Sequence, residues 1–248
     1  MSSLSTPGRS VVIALLAALG LPCFALATPP SEVVVAIDIG HTPVNPGAVS
    51  ARGRVEYEFN RELAADVRAA LLDAGFSKAF LIDPDGTLPS LEARADAASD
   101  RHATVLVSIH HDSVQPRYLA PWDFEGKSLQ YCDRFHGYSI FVSRRNAAFK
   151  ESLSIAKRLG TALRASGLAP TEHHAEAIPG ENRPFLDRRR GVHAFDDLRI
   201  LKRFPGAAVL VEAGVLVNRV EEQDLRSPSR RVTVAKAIAA ALAGQYVR

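Results

Sequence analysis

The sequence predicts an α/β domain: a mostly parallel twisted sheet with helices on both faces. Three observations predict it. VVVAIDIGH, TVLVSIH and AVLVEAG are short apolar runs rich in β-branched residues, the pattern of strands buried on both faces. Segments with helical periodicity alternate with them, as parallel crossover connections require. Toward its carboxyl end each run also presents a metal-competent or acidic residue, His41, His110 or Glu212. Open α/β sheets bind their ligands at the carboxyl ends of their strands.

The elements follow in order. A strand is predicted over 33–38 and a helix over 58–74, where Phe59, Leu63, Val67 and Leu71 repeat every fourth residue. Arg61, Glu62, Asp66 and Arg68 fall on the opposite face of that helix, so it is amphipathic. Next come a strand at 78–82, a helix at 89–101 and a strand at 104–110. After an irregular stretch, 111–136, a strand is expected near 137–143 and a helix over 146–166. That helix carries Phe149, Leu153, Ala156, Leu159 and Leu163 on one stripe, a core-packing pattern. A loop runs to about 193, then a strand over 207–213 and a closing helix near 230–246. No internal repeat is visible.

Residues 1–27 have the makeup of a secretory signal peptide. A polar start with Arg9 and no acid precedes VVIALLAALGLPCFALA, which ends on Ala25-Leu26-Ala27, an A-x-A cleavage signal. The run is too short and wrongly flanked for a spanning helix, so no stable membrane anchor is expected. Leu-Pro-Cys before residue 24 lacks the small residue that lipidation of Cys23 would need. Residues 28–248 then form a single catalytic domain, a length that buries a sizeable core. The leader takes one arginine from a chain of 30 basic and 27 acidic residues. The near balance that remains is no nucleic-acid footprint. Arg188-Arg189-Arg190 is the one dense basic cluster and reads as a solvated loop. Cys132 is left as the sole cysteine, which excludes an internal disulfide.

Two histidines at strand ends suggest a metal, and a third ligand is needed. Glu56 and Glu58 stand just before and at the start of the first helix, where carboxylates also complement the helix dipole. Either completes a His2Glu set with a fourth position open, a recognised catalytic zinc arrangement. Glu212 inside AAVLVEAGVLV would be costly in a sheet core unless something compensated for it. The residues by themselves point to a metal-assisted amide or ester hydrolase.

IDIGHTP, EFN, SIHHD and VLVEAGVLVN make the chain resemble the zinc-dependent N-acetylmuramoyl-L-alanine amidases of bacterial cell-wall turnover, the Amidase_3 type, from about Val33 to about Leu225. The resemblance implies zinc held by His41, Glu58 and His110, with Glu212 as the catalytic carboxylate. Glu58 is preferred to Glu56 because Asn60 lies two residues after it. Thr42-Pro43 and His111 depart from the family's residues and alter the floor of the cleft. The implied reaction is hydrolysis of the amide between N-acetylmuramic acid and L-alanine in peptidoglycan or muropeptides. The implied setting is periplasmic or secreted, in wall turnover or daughter-cell separation, with a protein activator among the partners the resemblance admits. The alternatives are another zinc peptidase or amidase on the same scaffold and a catalytically silent wall-binding homologue.

Two loops remain. Residues 111–136 follow directly on His110 and hold Tyr118, Trp122, Phe124, Tyr131 and Phe135; a connection of this length is expected to be a lid over the cleft or a substrate wall. Residues 168–193 contain Glu172, His173, His174, Glu176 and Glu181. They are expected to be solvated, the adjacent histidines having no metal-binding partner at a helical or hairpin spacing.

Overall fold

The apolar runs pair edge to edge into a seven-stranded sheet in the computed structural model, which describes residues 28–247. Residues 1–27, read from the sequence as a signal peptide, lie outside the described residues. The strands are β1 (Val35–Ile39), β2 (Phe80–Leu81), β3 (Val105–Asp112), β6 (Ser139–Val142), β7 (Phe185–Asp187), β8 (Val192–Ala194) and β9 (Ala207–Val215). A separate hairpin is built from β4 (Ala120–Phe124) and β5 (Lys127–Tyr131). Sheet order is β2-β1-β3-β9-β6-β8-β7. The pairs β1/β2, β1/β3, β3/β9 and β6/β8 are parallel, while β6/β9 and β7/β8 are antiparallel. The sheet is therefore mostly parallel, as expected, with an antiparallel reversal beyond β9.

Alternation along the strands sorts the core into two layers. Val35, Ile37, Val105, Val107, Val209 and Val211 face one side. There they meet Leu63 and Val67 of α1 (Glu56–Asp73), Ile155 and Leu159 of α3 (Phe149–Ala165), and Ile238 and Leu242 of α6 (Pro228–Tyr246). Ala36, Leu106, Ala208 and Leu210 face the other side. Their partners are Ala95 and Ala98 of α2 (Leu91–Asp100) and Ile200 and Leu201 of α4 (Arg199–Arg203). A short α5 (Glu221–Arg226) precedes α6. Burying each such valine or leucine stabilises the fold by roughly 1.5–3 kcal/mol. Local signals start the helices: Ser90 caps α2 by accepting from the Ala93 amide. Ser227 does the same for α6 from the Arg230 amide, with Pro228 at its first position.

Two expectations change in detail. The first helix starts at Glu56, one half-turn earlier than its apolar stripe suggested. The stretch to 193, read as loop, ends in β7 and β8 at the sheet edge; they are only three residues each, too short for a period-2 signal.

Candidate metal centre and cleft

Register builds the site. Parallel pairing sets His110 of β3 directly beside Glu212 of β9, and the Gly40 amide donates to the Ile109 carbonyl at 2.9 Å, placing His41 just beyond β1 at the same rim. His41 adopts φ 67°, the left-handed region in which a non-glycine residue is strained. The ends of β1 and α2 are locked together beneath it. Arg94 reaches buried Asp38 at 3.0 Å and donates to the Ile39 carbonyl, and Ser108 donates to the other Asp38 oxygen.

The third member is Glu56. His41 Nε2 lies 3.0 Å from Glu56 Oε2 and His110 Nδ1 lies 3.1 Å from Glu56 Oε1. The carboxylate is buried and accepts from Asn60 Nδ2 at 3.0 Å and the Ala48 amide at 3.1 Å. Burial alone would raise its pKa; hydrogen bonds with His110 and His41 reverse this and hold it far below the usual carboxylate range. The packing leaves no slack. A Cβ on Gly40 would sit 2.5 Å from the His110 ring, and one on Gly47 would sit 2.5 Å from Glu56 Oε2.

Glu58 does not join this group. It is exposed on the outer face of α1, 2.8 Å from Arg54. Two residues along a helix are about 200° around its axis, so Glu56 and Glu58 cannot both face the strand ends. The signal that separates them was in the sequence: Glu56, Asn60, Leu63 and Val67 follow one stripe, whereas Glu58 shares its face with Glu62 and Asp66. Asn60 lies one turn after Glu56 and bonds it, so the asparagine that favoured Glu58 belongs to Glu56. His111 backs the arrangement from below, buried, with Nδ1 2.7 Å from Asn60 Oδ1. Its burial depresses its pKa to about 3, so it is neutral near pH 7.

A cleft of about 360 Å³ opens over His41, His110 and Glu212, with Phe141, Phe195 and Leu198 among its walls. Glu212 Oε2 is shielded and has no hydrogen-bond partner. Its pKa is raised well above the ordinary value, first by burial and then by the charges of Asp112 and Glu56. Raised pKa values of this kind gather at sites that move protons.

Sequence reasoning missed a second cluster on the same cleft. His173 and His174 are buried, not solvated, because the 168–193 segment folds back over the end of β3, where both meet Asp112. The partner lies 61 residues before His173, a separation that no local pattern reveals. Among the described residues, His41/Glu56/His110 and Asp112/His173/His174 are the two groups whose donor atoms converge closely enough to hold a metal.

Of the aromatic segment 111–136, Ser113, Val114 and Gln115 line the cleft. The β4–β5 hairpin borders a neighbouring groove through Pro121, Ser128, Leu129 and Gln130. Trp122 staples the hairpin down by donating from Nε1 to the Ala51 carbonyl at 2.8 Å, with Arg52 and Arg219 stacked beside its ring.

Carboxylates and imidazoles gathered at strand ends over a cleft define a hydrolase of the α/β class. The Amidase_3 family, N-acetylmuramoyl-L-alanine amidase, matches residues 35–244, and the chain belongs to that family. Its reaction is hydrolysis of the amide bond between N-acetylmuramic acid and L-alanine in peptidoglycan, an extracytoplasmic substrate. A protein of Buchnera aphidicola subsp. Baizongia pistaciae assigned as an N-acetylmuramoyl-L-alanine amidase is 26% identical, covering 87% of this chain and 97% of its own. The amidase Ami1 of Mycobacterium smegmatis superposes with a TM-score of 0.67 at 22% identity, covering 88% and 99% of the two chains. The CwlD amidase of Clostridioides difficile, solved in complex with the GerS lipoprotein, gives 0.64 at 20% identity, covering 86% and 98%. No helix among the described residues is long and apolar enough to cross a membrane.

Proposed function

We propose that His41, Glu56 and His110 hold one catalytic zinc and that Glu212 moves the proton in amide cleavage. Two imidazole nitrogens converging on a carboxylate held ionised are a zinc donor set with a position left open, and the close approach of Gly40 to the His110 ring and of Gly47 to Glu56 Oε2 holds those donors in place. When bound there, zinc lowers the pKa of a water and polarises the scissile carbonyl. Glu212, next to His110 across the β3/β9 ladder, takes a proton from the attacking water and returns it to the leaving amine. A carboxyl with an elevated pKa is suited to both halves of that transfer. Asn60 and the Ala48 amide fix Glu56, and His111 fixes Asn60. Phe141, Phe195 and Leu198 exclude water from the cleft walls.

The observation that carries this reading is that Glu212, unpartnered at Oε2, lines the same cleft as His41 and His110 and stands beside His110 in the sheet. The test is metal content together with release of stem peptides from purified peptidoglycan. We expect zinc in both wild type and Glu212→Ala, with stem peptides released by wild type alone; a Glu212→Ala enzyme that retains turnover would refute the assignment.

In the cell, the 1–27 signal peptide delivers the domain to the periplasm or the exterior, where it serves wall turnover or daughter-cell separation. The GerS complex of the relative supports a protein partner for this chain as well. The Trp122 staple supports the hairpin as a fixed wall of the substrate groove rather than a lid.

A further inference from the structure

We propose that Asp112, His173 and His174 form a second zinc site in the same cleft, separate from His41, Glu56 and His110. Both histidines aim the same atom at the same target. His173 Nε2 lies 3.1 Å and His174 Nε2 2.7 Å from Asp112 Oδ2. The outer nitrogens are each held from behind: His173 Nδ1 lies 2.9 Å from Thr171 Oγ1, and His174 Nδ1 lies 2.9 Å from Glu181 Oε2. An oxygen acceptor behind an imidazole whose other nitrogen faces inward is the arrangement that orients metal-bound histidines. Glu181 is in turn fixed by Gln115 at 2.7 Å and by Arg183.

Hydrogen bonding alone does not account for the cluster. His173 is 2% exposed, and its Nε2 makes no hydrogen bond despite its closeness to Asp112. A buried imidazole nitrogen without a partner is costly, and a cation shared by the three donors removes that cost. Nitrogen and carboxylate donors suit zinc, whose bonds of ~2.0–2.1 Å set tetrahedral donors about 3.3 Å apart. The His173–Asp112 pair is already near that spacing, and the His174–Asp112 pair needs only to open slightly. The backbone beneath is braced: the Leu216 amide donates to the Asp112 carbonyl at 2.8 Å, and the Thr171 amide donates to the Tyr138 carbonyl at 2.9 Å.

This site stands independently of the zinc placed at His41, Glu56 and His110, and the test keeps the two apart. The purified protein is stripped with chelator, titrated with zinc and read by native mass spectrometry, alongside a zinc-dependent melting shift. Wild type is expected to take two zinc ions per chain. A His41→Ala/His110→Ala variant should keep one, and His173→Gln or His174→Gln should each lose one while retaining the other. Wild type saturating at one ion that disappears in His41→Ala/His110→Ala overturns the second site and leaves the first intact. Two ions persisting in both His173→Gln and His174→Gln would place the second ion elsewhere and also overturn it. One ion that survives His41→Ala/His110→Ala and is lost in His173→Gln upholds the second site and removes the first.

Discussion

Exchanging Glu56 and Glu58 for glutamine one at a time separates the two carboxylates that the sequence left in competition. Glu58 is exposed and pairs only with Arg54, itself partly exposed. Ion pairs of this kind contribute roughly 0–1 kcal/mol, so Glu58→Gln should shift stability by less than about 1 kcal/mol and leave metal content and turnover at wild-type level. Glu56 is buried between two imidazoles and accepts from Asn60 and the Ala48 amide. Glutamine keeps the shape but loses the charge and places an NH2 against donors. Removing one partner of a buried charged group costs about 3–5 kcal/mol, and we expect the low end because the apolar packing is unchanged. Mutating an outer-shell partner of a metal costs ~10–100-fold in affinity, so loss of the carboxylate itself should exceed about 100-fold. Urea unfolding, zinc content and muropeptide hydrolysis would be measured on both variants. Zinc retained in Glu56→Gln but lost in Glu58→Gln would refute the geometry.

Three further outcomes are expected. Glu212→Gln should lower kcat by roughly 10²–10⁴ while raising the melting temperature. The folded pKa of Glu212 is elevated, so the native state holds a proton that the unfolded state releases above about 4.5, and the wild type loses stability as pH rises through that window. The gain of the variant should therefore be larger at pH 7.5 than at pH 4.5, and an equal gain at both would count against the raised pKa. Gly40→Ala should abolish zinc retention, because its Cβ falls 2.5 Å from the His110 ring; a variant with normal metal content and activity would show that the ring has room to move. Trp122→Ala, which releases the hairpin from the Ala51 carbonyl, should raise KM for peptidoglycan with kcat preserved if the hairpin is a wall, whereas increased basal turnover would identify a lid.

Much of this was legible beforehand for a simple reason. Buried parallel strands need continuous apolar runs, so an ionisable residue at the end of one stands out, and His41, His110 and Glu212 were visible at once. The helical stripe of α1 was equally plain, and its phase contained the choice between Glu56 and Glu58. The preference for Glu58 rested on the two-residue spacing to Asn60, whereas a helix brings the asparagine to the carboxylate one turn before it, Glu56.

What the sequence determined by itself is the local part: strand, helix and the residue at each strand end, because period and polarity act over a few neighbours. What only the tertiary structure decided is which distant groups share a cleft. Asp112 and His173 meet because a segment far along the chain folds back over the end of β3, and Glu212 stands beside His110 because β9 pairs with β3 in that register. The antiparallel turn at β6 and the short edge strands β7 and β8 belong to the same class. Strand order and register are settled by packing the two faces of the whole sheet, and no window along the chain contains that information.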